Sequence, residues 1–365
     1  EGTNLSAKGR LVVWCNGSLD PELGPSKYLN TGYSLKGTHG TLYLFNANGQ
    51  IVDSLRYGFQ LPNLSIGRDN SGEWALLSSP TPGQDNKTPS MLATSSNLVI
   101  NEWMSNGRGD DWIELHNPRA MPVKMDGMYL TDDLSSIGLT QFEIPQLNYI
   151  AAGGFVKWIA DANLAKGGDH VNFSLASLGE PIALYSRTKS LVDKREISIT
   201  TPGESEGRLP DGATRITKFP STPTPGKSNY LPVENVAINE VLTHTDPPFE
   251  DAIELQNLSD NPVDIGNWWI SNSEANLKKF QISPSTKLSA RGMAVFYEGQ
   301  FNPAPGAAHS FALNSAHGDK IILSKANGSG KLTGHRAIVE FGAAQNAIPL
   351  GRVKTSIGDQ FTALT

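Results

Sequence analysis

The chain has 365 residues with 30 basic and 36 acidic side chains, a net charge of -6, a hydrophobic share of 38% and a mean hydropathy of -0.30. At roughly 150 residues per domain this length predicts two or three folded domains, and the composition is neither disordered nor fibrous. No apolar run approaches the ~18 residues of a membrane span, no Lys/Arg cluster offers the basic footprint of a nucleic-acid binder, and Cys15 alone excludes an internal disulfide framework or a Cys-based zinc site.

Taken in chain order, the elements read as short strands between Gly, Asn, Pro and Asp turns. Gly9 to Trp14 is a glycine followed by an apolar strand ending in an aromatic; Ile51-Val52-Asp53 and Gly67-Arg68 follow, and Pro80-Thr81-Pro82-Gly83 ends the stretch because it cannot continue a strand. Next come Ile100-Asn101-Glu102, Trp112 to Leu115, Gly127 to Leu130, Phe155 to Ile159, Pro181 to Tyr185, Leu191 to Asp193 and Gly207-Arg208, closed by Pro223-Thr224-Pro225-Gly226. Ile238-Asn239-Glu240, Asp251 to Leu255, Pro262-Val263, Ile270, Gly292 to Tyr297 and Gly351-Arg352 repeat the order. No window carries a sustained 3.6-residue apolar stripe, so helix is expected to be scarce and the fold class all-β, a set of two-sheet sandwiches.

The spacing exposes an internal repeat. Asp111 to Leu130 and Asp251 to Ile270 align at a constant offset of 140, while Ile100 and Ile238 differ by 138, so the later loop is two residues longer. Three domains are expected: 1–90, the C-terminal part of a first unit; 97–230, a complete second unit; and 236–365, a nearly complete third. By comparison with the 52 residues from Asn101 to Gly153, the first unit lacks about fifty residues before Gly9. Its sheets are therefore expected to have open edges, met by residues outside this stretch or by strand addition from another chain.

Candidate sites are few. The seven histidines include no partner in a Gly-x-Ser-x-Gly nucleophile elbow; His170 and His309 each precede a Phe-x-Leu strand and read as a shared packing feature. Cys15 reads as a passive thiol. Asp110 and Asp111 precede one strand and Asp132 and Asp133 follow another; loop carboxylates of this kind make them the calcium candidates, although no Asp-x-Asp-x-Asp-Gly loop occurs, and otherwise no cofactor is expected. Glu102, Glu114 and Arg208, echoed by Glu240, Glu254 and Arg352, read as structural carboxylate–guanidinium pairs, because a glutamate inside an Ile-Glu-Leu strand is costly to bury unpaired. Trp268 and Trp269 are adjacent, so one faces the core and the other outward as a contact surface.

Together these residues resemble a known family. Ile-Asn-Glu, Asp-x-Ile-Glu-Leu-x-Asn, Pro-Val, the run Met125 to Asp133, Ala152-Gly153-Gly154, Phe173-Ser174-Leu175, Gly207-Arg208 and Pro-Thr-Pro-Gly are similar to the lamin tail domain as bacteria carry it, in two and a half tandem copies. The resemblance implies an immunoglobulin-like β-sandwich and a non-catalytic module of a larger exported or cell-surface protein, contacting other domains of that protein or other protein chains, self-assembly included. The alternative it leaves is a set of accessory binding domains of a secreted enzyme whose catalytic domain lies elsewhere. Neither nucleic acid nor a membrane span is expected, and low cysteine usage in a Gly/Asn/Thr-rich β protein agrees with an exported location. The third copy departs from the pattern: Ala252 stands where the second has Trp112, and Ser271-Asn272-Ser273 replaces Thr131-Asp132-Asp133.

Overall fold

The computed structural model describes residues 5–21, 29–356 and 358–364. They form two compact units, Glu1–Gly207 and Arg208–Thr365, both all-β.

The first unit opens with a hairpin, β1 (Gly40–Phe45) and β2 (Ile51–Tyr57), and a second small hairpin, β3 (Ile66–Arg68) and β4 (Trp74–Leu76). Then follow β5 (Val99–Met104), β6 (Asp111–His116), β7 (Val123–Lys124), β8 (Tyr129–Thr131), β9 (Phe142–Glu143), β10 (Tyr149–Ile150), β11 (Phe155–Ala160), β12 (His170–Val171), β13 (Pro181–Tyr185), β14 (Leu191–Glu196) and β15 (Ser205–Arg208). One sheet runs β12-β11-β6-β5-β15 and the other β14-β13-β8-β9. Period-two alternation sends Ile113, Leu115, Val156 and Trp158 of the first sheet and Leu130, Phe142, Ile182 and Leu184 of the second into one core. This is the expected β-sandwich.

The second unit holds β16 (Ile216–Phe219), β17 (Leu231–Pro232), β18 (Val236–Leu242), β19 (Ala252–Asn257), β20 (Val263–Asp264), β21 (Trp269–Ser271), β22 (Phe280–Gln281), β23 (Lys287–Leu288), β24 (Met293–Tyr297), the single-turn α1 (Glu298–Phe301), β25 (Asp319–Ala326), β26 (Leu332–Phe341), β27 (Leu350–Thr355) and β28 (Gly358–Ala363). Sheets β17-β26-β25-β21-β22 and β24-β19-β18-β27-β28 enclose a core of Val241, Ile253, Leu255, Trp268, Ile270, Ile321, Leu323 and their neighbours. The Ile-Asn-Glu strands share a local device: the ladder slips between Ile100 and Glu102 against β6, and between Ile238 and Glu240 against β19. Such a bulge places two successive residues opposite one partner.

One expected strand does not form. Leu11, Val13 and Trp14 are about half exposed, and the Gly9–Trp14 stretch makes only an isolated bridge, Trp14 to Asn30. The corresponding β11 exists because β6 pairs with it along its whole length; apolar alternation without a partner ladder does not hold a strand.

The first segment is instead fastened farther along. Tyr57 to Leu61 run beside Leu147 and Tyr149: Gly58 N donates to Leu147 O at 3.2 Å, Tyr149 N to Phe59 O at 3.0 Å and Phe59 N to Asn148 Oδ1 at 2.8 Å. The Phe59 ring belongs to the core of the β5–β15 sandwich.

Candidate functional site

The two glutamates of the first unit sit opposite each other across β5 and β6, and neither is exposed. Ser205 Oγ donates to Glu102, and Asn101 Nδ2 donates to Glu114 Oε1 at 3.0 Å. Arg208, also buried, donates to the carbonyl of Ala213. In the second unit Glu240 again faces Glu254, and Asn239 Nδ2 again serves the latter, at 2.7 Å. Burial, and then Glu254 beside it, pushes the Glu240 carboxyl up. Here the expected arginine goes elsewhere. Gly351 lies across from Glu240, as Gly207 does from Glu102, and the Arg352 guanidinium takes Asp359 of the adjoining β28 at 2.8 Å and Gln256 Oε1 at 2.7 Å.

The calcium candidates serve turns and a lysine. Asp110 lies 3.6 Å from Lys166 Nζ, Asp133 caps Ser135 N at 2.8 Å, and Asp111 accepts from Gly107 N, its carboxyl pushed up by burial. Asp132 and Asp111 stand near Glu180, which burial first and then these charges hold above its ordinary range. Among the described residues no three His, Cys, Asp or Glu side chains are arranged to hold a metal ion.

A chain of histidines and carboxylates joins the first segment to the sandwich of β5–β15. His39 Nδ1 lies 3.0 Å from Asp169, His170 Nδ1 3.0 Å from Asp161, and Lys166 Nζ 2.7 Å from the other Asp161 oxygen. Burial would raise the Asp161 carboxyl, but Lys166 and His170 outweigh it and hold the group down at about 2. His170 is buried, whereas His309 lies exposed against Lys278 O, so the two do not share one packing role.

A concavity lies within the second unit. A cavity of about 480 Å³ lies beside the parallel pair β17 and β26, lined by Pro232, Glu234, Asp264, Trp268, Lys325 and His335 among others. Trp268 is the inward-facing member of its pair, 4% exposed, yet its ring borders this cavity, with Lys325 Nζ 5.8 Å from the ring centroid. Trp269 lies on the other face, where its Nε1 donates to Gly330 O at 3.0 Å and a turn half covers it. Burial lowers the His335 imidazole first, and Lys325 and Arg215 lower it further against Thr333 and Glu234. At neutral pH the cavity thus offers one ammonium, two carboxylates, a neutral imidazole and an aromatic wall.

The residues that line this cavity run from Pro220 to His335, and Leu231 of β17 lies across from His335 of β26 in the parallel ladder. Residues 232–335 match the family model of the Lamin Tail Domain. No curated protein and no solved structure matches the chain. The matched stretch holds β18 to β25 and most of the residues that line the cavity. Of the cavity's polar residues the sequence reading singled out none, because Glu234, Asp264, Lys325 and His335 are scattered over a hundred positions and share no motif. Trp268 was the one legible signal.

Proposed function

We propose that this chain is a contact-making segment of a larger bacterial exported or cell-surface protein, built from tandem lamin tail sandwiches that bind other proteins or other domains of the same protein and catalyse nothing themselves. The observation that carries this reading is the Lamin Tail Domain match over residues 232–335, the stretch that frames the cavity of Trp268, Lys325 and His335. The shared Ile-Asn-Glu bulge at Ile100–Glu102 and Ile238–Glu240 supports a tandem arrangement. A net charge of -6 agrees with a protein partner better than with nucleic acid.

The location is tested on intact cells with a membrane-impermeant amine reagent. Labelling of Lys227, 62% exposed, without labelling of cytosolic proteins is the expected result. Labelling of that lysine only after lysis overturns the exported assignment.

A further inference from the structure

One hairpin geometry occurs twice within residues 40–196. In β1–β2, Leu44 lies across from Asp53 and Phe45 across from Ile51, the register slipping between Leu44 and Phe45. In β13–β14, Leu184 lies across from Asp193 and Tyr185 across from Leu191, with the slip between Leu184 and Tyr185. The turns close alike: Asn46 N donates to Gln50 O and Gly49 N to Asn46 O, as Ser186 N does to Ser190 O and Lys189 N to Ser186 O. Every one of these positions is offset by 140 residues.

The two hairpins differ in what lies beyond the first strand. β8 runs antiparallel beside β13, with Leu130 across from Leu184 and Tyr129 across from Tyr185, and Leu184 is fully buried. Beside β1 no second strand lies among the described residues, and Tyr43, Leu44 and Phe45 are 56%, 60% and 54% exposed. The hairpin β25–β26 has the corresponding neighbour, β21, with Ile270 across from Leu323. The seat is thus filled twice, by Tyr129-Leu130-Thr131 and by Trp269-Ile270-Ser271: an aromatic, an aliphatic and a hydroxyl residue, with the last two fully buried in both strands.

An open, apolar sheet edge is a template for pairing, because its backbone donors and acceptors and its side-chain row take an added strand together. We infer that the free edge of β1 is a strand-docking site, and that its occupant is an extended segment of aromatic–aliphatic–Thr/Ser sequence. This segment runs antiparallel to β1 with its aliphatic residue across from Leu44. The inference goes beyond the contact role proposed above and depends neither on the cavity of the second unit nor on cellular location.

The test titrates a fluorescent peptide of residues 126–134, Asp-Gly-Met-Tyr-Leu-Thr-Asp-Asp-Leu, into the full chain, with anisotropy for affinity and light scattering for stoichiometry. Saturable 1:1 binding is expected. It should weaken about tenfold or more with Leu44→Asp in the chain or with Leu130→Asp in the peptide, and stay unchanged with Leu178→Asp, an exposed control. Leu44 is already solvent-exposed, so the variant's melting curve should match the parent's. Three results overturn the inference: no binding; binding indifferent to Leu44→Asp, which would place the peptide in the β8 seat of the intact sandwich; or a Leu44-dependent dimer that the peptide does not compete with, which would give the edge to a second copy.

Discussion

Phe59 meets Trp158 edge to face, ring centroids 5.0 Å apart and planes at 82°. The first ring comes from the segment after β2 and the second from the middle of β11, so an aromatic of the first segment completes the core of the next sandwich. Phe59→Ala should cost about 3–5 kcal/mol, since it opens a large hole against a fully buried indole. Urea unfolding followed by tryptophan fluorescence and circular dichroism measures it. A loss under about 1 kcal/mol would mean that the sandwich closes without the ring.

Gly58 is constrained by the same seam. A Cβ there would collide with the side chain of Asn148, which is fully buried, accepts from Phe59 N and donates to Pro145 O. Gly58→Ala should therefore cost roughly 1–3 kcal/mol through overpacking and lost hydrogen bonds. With Asn148→Ala already in place, most of the clash is gone. The double variant should lose clearly less than the sum of the singles, and strict additivity would refute the contact.

The Asp161 carboxyl carries a pH dependence of known sign. Its folded-state value, about 2, lies below the ordinary 3.8, so its contribution is complete above about pH 4 and is lost as pH falls towards 2. Asp161→Asn should lower the melting temperature at pH 7 and flatten this part of the acid limb. Melting curves from pH 5 to pH 2 that stay parallel for the two proteins would contradict it.

His335 works in the opposite pH range. Its imidazole sits below the ordinary 6.5, so the unfolded chain takes up the proton first and stability falls as pH drops below about 6.5. A histidine NMR titration should place its midpoint below the ordinary 6.5. His335→Gln should remove the corresponding slope from the stability of residues 208–365, and a midpoint at or above 6.5 would rule out the neutral imidazole in the cavity.

Much of the fold was legible because strands and turns leave local marks. The all-β class and the Ile-Asn-Glu strands follow from period-two burial, and the turns between strands from glycine and proline chemistry. What stayed hidden depends on long-range contact. Nothing in Tyr57-Gly58-Phe59-Gln60 marks its third residue as a core plug, because its partners Asn148 and Trp158 lie about ninety residues away. Gly9 to Trp14 reads as a strand, yet a strand needs a ladder, and the sequence does not say whether one is present. The repeat and the cost of burying a strand glutamate pair Arg352 with a glutamate; the guanidinium instead meets Asp359, which no repeated motif marks.

The proposal that the stretch matching the Lamin Tail Domain model is a protein-contact module is tested most directly by crosslinking intact cells with an impermeant lysine reagent and mapping the products by mass spectrometry. Lys325 at the cavity should form crosslinks to one recurrent partner protein or domain, and Trp268→Ala should deplete them. Lysines that modify singly but crosslink to nothing, or to an unselective spread of proteins indifferent to Trp268→Ala, would contradict the account.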